Sequence, residues 1–164
     1  MDKSQIEVFR ADLNGEGLRV AVVQSRFNEP ICDALRESCL AELEQLGVGT
    51  EDVFVCSVPG ALEIPVVLRQ LAASEQFDAL IALGAVVRGA TYHFEVVSEQ
   101  SAGGVMQVAL EFSMPVVNAI LTVDTDEQAH ERMNVKGAEA ARVAVEMGNL
   151  AASLATLTGD DGGE

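Results

Sequence analysis

The sequence has 164 residues, 49% of them hydrophobic, and a formal net charge of −16 with only 10 lysines and arginines. A chain this acidic repels the phosphates of nucleic acids and anionic lipids, so neither is expected as a partner. Because no apolar run reaches the roughly 18 residues of a membrane span and the N-terminal segment has no apolar signal core, we expect a cytoplasmic protein with one domain over residues 1–157.

Along the chain, short apolar runs typical of buried strands alternate with segments of helical apolar spacing. In chain order, the predicted elements are a strand at 6–9, a strand at 18–23, a helix at 30–46, a strand at 52–58, a helix at 60–73, a strand at 78–83, a helix at 93–112 interrupted by Gly103 and Gly104, a strand at 115–123, and helices at 126–133 and 136–157. The strands are apolar on both faces, as in parallel sheets covered by helices. This predicts a three-layer α/β/α domain around a four-stranded parallel sheet.

Both ends of the chain are expected to lie apart from this domain. The strand at residues 6–9 is separated from the rest by a polar, glycine-containing stretch. We expect it to pair at a sheet edge, either of its own subunit or, in an exchange between copies, of a neighbouring subunit. The acidic, glycine-rich tail at residues 158–164 is predicted to be disordered.

Open parallel sheets bind ligands beyond the carboxyl ends of their strands. In this chain that rule selects four segments: residues 25–28, 59–63, 84–93 and those from Asp124 onward. Arg26, Arg88 and Arg132 lie in or near these segments. In a chain with so few cations, this clustering favours an anionic ligand.

The segment GAVVRGATYH, residues 84–93, follows a predicted strand and opens a predicted helix. Gly89 permits a tight turn, Ala90 leaves room for close approach, and Thr91 is a candidate helix N-cap. Backbone N–H groups at a helix start bind phosphate well. The alternative is an ordinary strand-to-helix turn. No GxGxxG or Walker A motif is present, which disfavours dinucleotides and nucleoside triphosphates.

Three side chains in or near these segments each have a functional and a structural interpretation, and a fourth, His130, has a structural one. His93, at the start of the predicted helix, is either a proton-transfer group or a structural histidine. Phe27, after a strand, either stacks on a flat heterocycle or caps the core. Glu63 either hydrogen-bonds a polar ligand or complements the helix dipole. His130 lies in a polar helix and is expected to be solvated.

The three cysteines have no metal-binding or redox spacing. Cys32 and Cys39 are seven positions apart, which places them on one helix face. With Cys56, they are predicted to be reduced, small apolar groups. A catalytic thiol is the alternative.

The chain resembles the 6,7-dimethyl-8-ribityllumazine synthase family from about residue 15 to about residue 150, through segments that are weak singly and specific in this order and spacing. The matching segments are RFN (26–28), VPGALEIP (58–65), GAVVRGATYHFE (84–95), PVVNAILTVDTDEQAHER (115–132) and KGAEAA (136–141). The resemblance implies that 5-amino-6-(D-ribitylamino)uracil condenses with 3,4-dihydroxy-2-butanone 4-phosphate in riboflavin biosynthesis. It implies a transferase with a flavodoxin-like fold.

The resemblance also implies the site residues and the chemistry. By implied role, they are Phe27, Ala61, Leu62, Glu63, Ala85, Val86 and Val87 around the pyrimidine, Ala90, Thr91 and Arg132 at the phosphate, Asn118 and Lys136 as further substrate-binding residues, and His93 as the proton-transfer residue. Asn118 is implied to reach the site from a neighbouring subunit, although many relatives carry Phe there. An amine attacks the ketone and loses water, phosphate is eliminated, and a second amine closes the ring with loss of another water. These steps need no redox chemistry, so no metal and no organic cofactor are implied.

The implied assembly is a homopentamer with active sites between neighbouring subunits. A lone pentamer, a decamer and a shell of sixty subunits stay open, as does association with riboflavin synthase. Only three residues separate Arg132 from Lys136, fewer than in many relatives, which leaves the roles of Lys136 and Glu139 open. Two other functions are kept as alternatives: a non-catalytic flavodoxin-like module that binds flavin or a sugar phosphate, and a structural cage subunit.

Overall fold

The computed structural model describes residues 1–158, in which strands and helices alternate as predicted. The elements are β1 (Val20–Ser25), α1 (Glu29–Gln45), β2 (Val53–Val58), α2 (Ile64–Ala73), β3 (Ala79–Val87), α3 (His93–Phe112), β4 (Val116–Val123) and α4 (Asp126–Ala155). The four strands are all parallel, in the order β2-β1-β3-β4. The predicted α/β fold is therefore confirmed, while most of the predicted tail lies outside the described residues.

The core lies on both faces of the sheet. On one face, Val20, Val22 and Ile81 pack with α1 and α4, and on the other, Ala21 and Leu80 pack with α2 and α3. Every residue of β1 is buried. No helix within residues 1–158 combines the length and the apolar character that a membrane crossing requires.

The edge strand β2 departs from the prediction that all strands are covered on both faces. Phe54 and Val55 are 45% and 40% exposed, although they lie in the middle of the strand. The reason is position: β2 pairs only with β1, and its other edge has no partner strand within residues 1–158. An apolar edge strand of this kind invites pairing with another segment.

Two predicted helix interruptions are absent from the structure, one at Gly103 and Gly104 and one at residues 134–135. α3 runs unbroken through Gly103 and Gly104, and α4 is one helix where two were predicted. A Cβ on Gly104 would lie 2.6 Å from Pro65 of α2, and a Cβ on Gly137 would lie 2.4 Å from the carbonyl oxygen of Leu35 in α1. The cost of glycine in a helix, about 1 kcal/mol, is thus offset by close helix packing.

Residues 6–9 form no strand within the described part of the chain. A 3-10 turn at Lys3–Gln5 precedes them, and Ile6, Val8 and Phe9 are all exposed, Val8 by 66%. The polar stretch that follows is anchored to the domain, because the Asn149 side chain donates hydrogen bonds to the carbonyls of Asp12 and Asn14, both at 2.9 Å. The apolar segment therefore extends from a fixed point on the surface.

Candidate active site

The strand order brings three loops together at the carboxyl edge of the sheet. We call them the loop cluster: residues 26–28 after β1, 59–63 after β2 and 88–93 after β3. β1 lies between β2 and β3, so its loop is central. Backbone hydrogen bonds join the first two loops, since the amides of Arg26 and Phe27 both donate to the carbonyl of Pro59 at 3.2 Å.

Phe27 lies in the middle of the loop cluster with its ring 70% exposed. The ring lies against Gly60, where an added Cβ would be 2.8 Å from Phe27 Cδ2. The side chain therefore does not cap the core, which was the alternative interpretation, and it presents an open aromatic face. Glu63 accepts a hydrogen bond from the Gly60 amide at 3.0 Å, which fixes the second loop beside the ring.

Asn28 was not singled out from the sequence, yet it sets the position of the Phe27 loop. Its backbone is left-handed, with φ 58° and ψ 48°, a conformation that asparagine tolerates better than most residues. Its side-chain amide donates to the carbonyl of Ala85 in β3 at 2.9 Å. The thiol of Cys32 donates to the carbonyl of Phe27 at 3.2 Å, so both sides of this loop are held.

The turn at residues 89–92 carries unpaired backbone donors. Within residues 1–158, the amides of Gly89, Ala90, Thr91 and Tyr92 donate to no protein acceptor. The turn is exposed, and a Cβ on Gly89 would meet nothing within 4 Å. The predicted N-cap role of Thr91 is wrong: α3 begins at His93, with Tyr92 as the preceding residue and no side-chain cap. His93 is exposed at the first position of the helix, adjacent to the unpaired amides.

Arg88, one of three candidate cations for an anionic ligand, is already paired within the chain. Its Nε donates to Asp124 at 2.7 Å, its Nη1 donates to Glu95, and its guanidinium lies 4.2 Å from the centre of the Phe94 ring. The hydrogen bond from Arg88 holds the pKa of the Glu95 carboxyl below its ordinary value. Arg26 also has a partner, the Ser57 hydroxyl at 3.1 Å.

The remaining candidate residues line a separate groove, the β4–α4 groove, which contains Asn118, Arg132, Lys136 and Glu139. Arg132 Nη1 donates to the carbonyl of Gln128 at 2.9 Å, and Lys136 donates to Glu139 at 3.1 Å. Neither Phe27 nor His93 lines this groove. One chain therefore carries the candidate residues in two places, the loop cluster and the β4–α4 groove.

The cysteines behave as packing groups. Cys32 and Cys39 are buried on one face of α1, and all three cysteines are free thiols. Burial raises the pKa of Cys39 to about 12 and raises that of Cys56. A catalytic thiol needs thiolate, which such burial disfavours.

Comparison with known proteins gives a consistent result. A family model for 6,7-dimethyl-8-ribityllumazine synthase matches residues 17–152. The chain is 58% identical to the protein of that name from Paraburkholderia phymatum over 157 residues, which cover 96% of this chain and 91% of the relative. It is 58% identical to the one from Paraburkholderia phytofirmans over 95% of this chain and 93% of the relative, and 57% identical to the one from Burkholderia mallei over 96% and 91%.

Proposed function

The chain belongs to the 6,7-dimethyl-8-ribityllumazine synthase family, and we propose that it condenses 5-amino-6-(D-ribitylamino)uracil with 3,4-dihydroxy-2-butanone 4-phosphate to give 6,7-dimethyl-8-ribityllumazine, phosphate and water. The observation that carries this proposal is the juxtaposition of unpaired amides at residues 89–92 with exposed His93 at the start of α3. An anion-binding turn beside an imidazole suits proton transfer next to a phosphorylated carbonyl compound.

In this proposal the loop cluster holds the diamine. The pyrimidine stacks on the open face of Phe27, whose ring rests on Gly60. Backbone and side-chain atoms of the Ala61–Glu63 turn orient its polar edge, and Ala85, Val86 and Val87 line the pocket. The two amines are thereby held at the distance from the ketone that condensation requires.

The phosphate binds the amides of Ala90 and Thr91, and Arg132 pairs with it. Of the candidate arginines, Arg88 is engaged by two carboxylates, whereas within residues 1–158 Arg132 has only a 3.5 Å contact with the exposed Glu131 and a bond to a carbonyl. Arg132 therefore keeps donors for an incoming anion. It stabilises the phosphate as it leaves.

His93 moves protons through the sequence of steps. One amine adds to the ketone carbon, and the carbinolamine loses water to give an imine. Phosphate then leaves by elimination, with the lost proton taken up near His93. Elimination leaves an enol at the carbon that carried the hydroxyl group, and this enol tautomerises to a new ketone. The second amine adds to that new ketone and loses a second water, which closes the ring. Each step requires a group that both accepts and donates protons, as imidazole does near neutral pH.

The separation of the β4–α4 groove from the loop cluster supports an active site shared between copies. We propose that Asn118, Arg132 and Lys136 of one copy complete the loop cluster of the next, in a ring of five subunits.

The exposed apolar segment at residues 6–9 pairs with the open edge of a neighbour's β2, which covers Phe54 and Val55. We also propose a cytoplasmic location for the enzyme.

A turnover assay tests the proposal. Purified protein given both substrates should form a fluorescent lumazine and release phosphate. His93→Ala should lower kcat by about a hundred- to ten-thousandfold, whereas the control His130→Ala should leave it unchanged. His130 is exposed on α4, and the one hydrogen bond of its ring within the described residues is to the Asp126 carbonyl. Binding of the substrates without turnover by the wild type would favour a binding module, and neither binding nor turnover would favour a structural subunit.

A further inference from the structure

Arg88 joins three parts of the structure at the mouth of the loop cluster. It is the first residue after β3, and its backbone amide donates to the carbonyl of Val123 at 2.8 Å, so its main chain is fixed to the sheet. Its side chain reaches Asp124, just after β4, and Glu95, in the first turn of α3. The face of its guanidinium covers the Phe94 ring.

The side-chain contacts of Arg88 span the turn at residues 89–92 from one end to the other. The amides of that turn have no protein acceptor within residues 1–158, and Gly89 adds backbone freedom. The turn begins at Arg88 and ends at His93, two residues before Glu95. The bond from Arg88 to Glu95 therefore connects the two ends of a segment whose four amides, at residues 89–92, have no backbone partner within residues 1–158.

We propose that Arg88 is a positioning residue, which keeps the phosphate-binding amides and the His93 imidazole at a fixed separation without touching substrate. The inference rests on the proposed function. Through Asp124, the same guanidinium also fixes the start of the connection to α4, the helix that carries Arg132. One side chain thus orders both the proton-transfer group and the turn that binds the leaving phosphate.

Stability does not account for this arrangement. The side chains of Arg88, Glu95 and Asp124 are 46%, 32% and 62% exposed, and ion pairs so exposed to solvent contribute little to folding. Geometry is a stronger reason, since a displacement of about 1 Å between reacting groups can cost about a hundredfold in rate. The planar guanidinium can hold two carboxylates and stack on a ring at once, which an ammonium group cannot.

Arg88→Gln tests the inference, with Arg19→Gln as the matched control. Arg19 is also 46% exposed, contacts Asp52 at 3.8 Å and lies 5.5 Å from the Phe77 ring centre, but it belongs to the opposite end of the sheet, just before β1. We expect Arg88→Gln to lower kcat by about ten- to a hundredfold and to raise KM for the phosphorylated ketone. KM for the diamine should stay within about twofold. Arg88→Lys should recover part of the loss, and Arg19→Gln should match the wild type.

Hydrogen exchange gives a readout that does not depend on turnover. Amides at residues 89–92 should exchange faster in Arg88→Gln than in the wild type, with β1 and β3 unchanged and the melting temperature within a few degrees. Titration with inorganic phosphate should show weaker binding. If Arg88→Gln does not fold, Glu95→Ala removes the acceptor across the turn alone and should change exchange and kcat in the same direction.

Unchanged exchange and unchanged kinetic constants in Arg88→Gln would overturn the inference. So would an equal rise in KM for both substrates accompanied by a large fall in melting temperature, which is the signature of a general structural role. A wild type without turnover would instead refute the proposed function, and the exchange measurement would still decide whether Arg88 holds the turn.

Discussion

The loop cluster and the β4–α4 groove are held in different ways. In the loop cluster, bonds join residues far apart in sequence: Phe27 to Pro59, Asn28 to Ala85 and Arg88 to Asp124. In the groove, Lys136 pairs with Glu139 one turn away, and Arg132 bonds to Gln128 of its own helix.

This difference shows which part of the site is ordered within one chain and which part is left to contacts with another chain. The loop cluster is preorganised by tertiary contacts, so its geometry exists before any ligand or partner arrives. The groove presents Arg132 and Lys136 on an exposed helix face, where their partners lie on the same helix, so both side chains can extend toward a ligand or a neighbouring subunit. In a site built from both regions, the loop cluster supplies groups held in a fixed geometry, and the groove supplies the positive charge.

After the loss expected for His93→Ala, the largest expected effect comes from removing charge from the groove. Arg132→Ala should lower kcat/KM for the phosphorylated ketone by about ten- to a hundredfold, because a charge-assisted hydrogen bond is lost. The control is Arg142→Ala, on the same helix, whose guanidinium pairs with Glu42 of α1 at 2.9 Å. Steady-state kinetics with each substrate varied in turn measures both. An equal effect of the two variants would remove Arg132 from the phosphate site.

Mixing subunits shows whether the two regions come from different chains. Co-expressed in equal amounts and assayed at a concentration of phosphorylated ketone well below KM, where each variant alone is impaired, Arg132→Ala and His93→Ala subunits should regain about a quarter of wild-type turnover. About half of the sites take their loop cluster from the Arg132→Ala chain, and about half of those take their groove from the His93→Ala chain. No recovery in doubly tagged, purified hybrids would mean that each site is built from one chain.

The next effect concerns the loop cluster. Gly60 has φ −144°, which alanine adopts freely, so Gly60→Ala leaves the backbone intact and pushes on the Phe27 ring, 2.8 Å from the new Cβ. We expect KM for the diamine to rise about tenfold, a part of the 1–3 kcal/mol that stacking of a base on an aromatic ring contributes.

A double-mutant cycle supplies the control for Gly60→Ala. In a Phe27→Ala background, most of the effect should disappear, because the ring is gone and what remains is the 3.1 Å contact of the new Cβ with Glu63 Oε2. If Gly60→Ala raised KM as much without the ring as with it, the packing of Phe27 on Gly60 would not be what orients the diamine.

The sequence predicted the fold because the signals were local. Apolar runs with helical segments between them are enough to predict parallel strands, and the carboxyl-edge rule then selects the loops. The contacts that organise those loops were not predictable. Arg88 was assigned as a candidate ligand for an anion, and only the folded chain shows that it already forms ion pairs with Asp124 and Glu95.

Wrong helix boundaries have the same origin. Gly104 has poor helix propensity, and propensity alone interrupts a helix there, while the predicted break at residues 134–135 lies just before Gly137, another poor helix former. Their contacts with Pro65 and Leu35 belong to other helices, which a local pattern cannot show. Asn28 is similar: asparagine suits a left-handed turn, but its bond to Ala85 depends on strand order.

The smallest expected effect concerns how α4 is placed against α1. Gly137→Ala puts a Cβ 2.4 Å from the Leu35 carbonyl oxygen and 2.9 Å from Ser38 Cβ, so α4 must move away from α1. Overpacking of this kind costs about 1–3 kcal/mol, which lowers the melting temperature by about 2–4 °C per kcal/mol. Calorimetry and denaturant titration measure the change.

Gly148→Ala is the control for that shift, since it lies on the same helix and its new Cβ would make an ordinary 3.6 Å contact with Leu18. It should be neutral or slightly stabilising, because alanine favours the helix. Displacement of α4 at Gly137 also moves Arg132 and Lys136, so kcat/KM for the phosphorylated ketone should fall while stacking of the diamine is retained. Equal loss for both substrates would mean that the loop cluster depends on α4 after all, and that the two regions are not independently held.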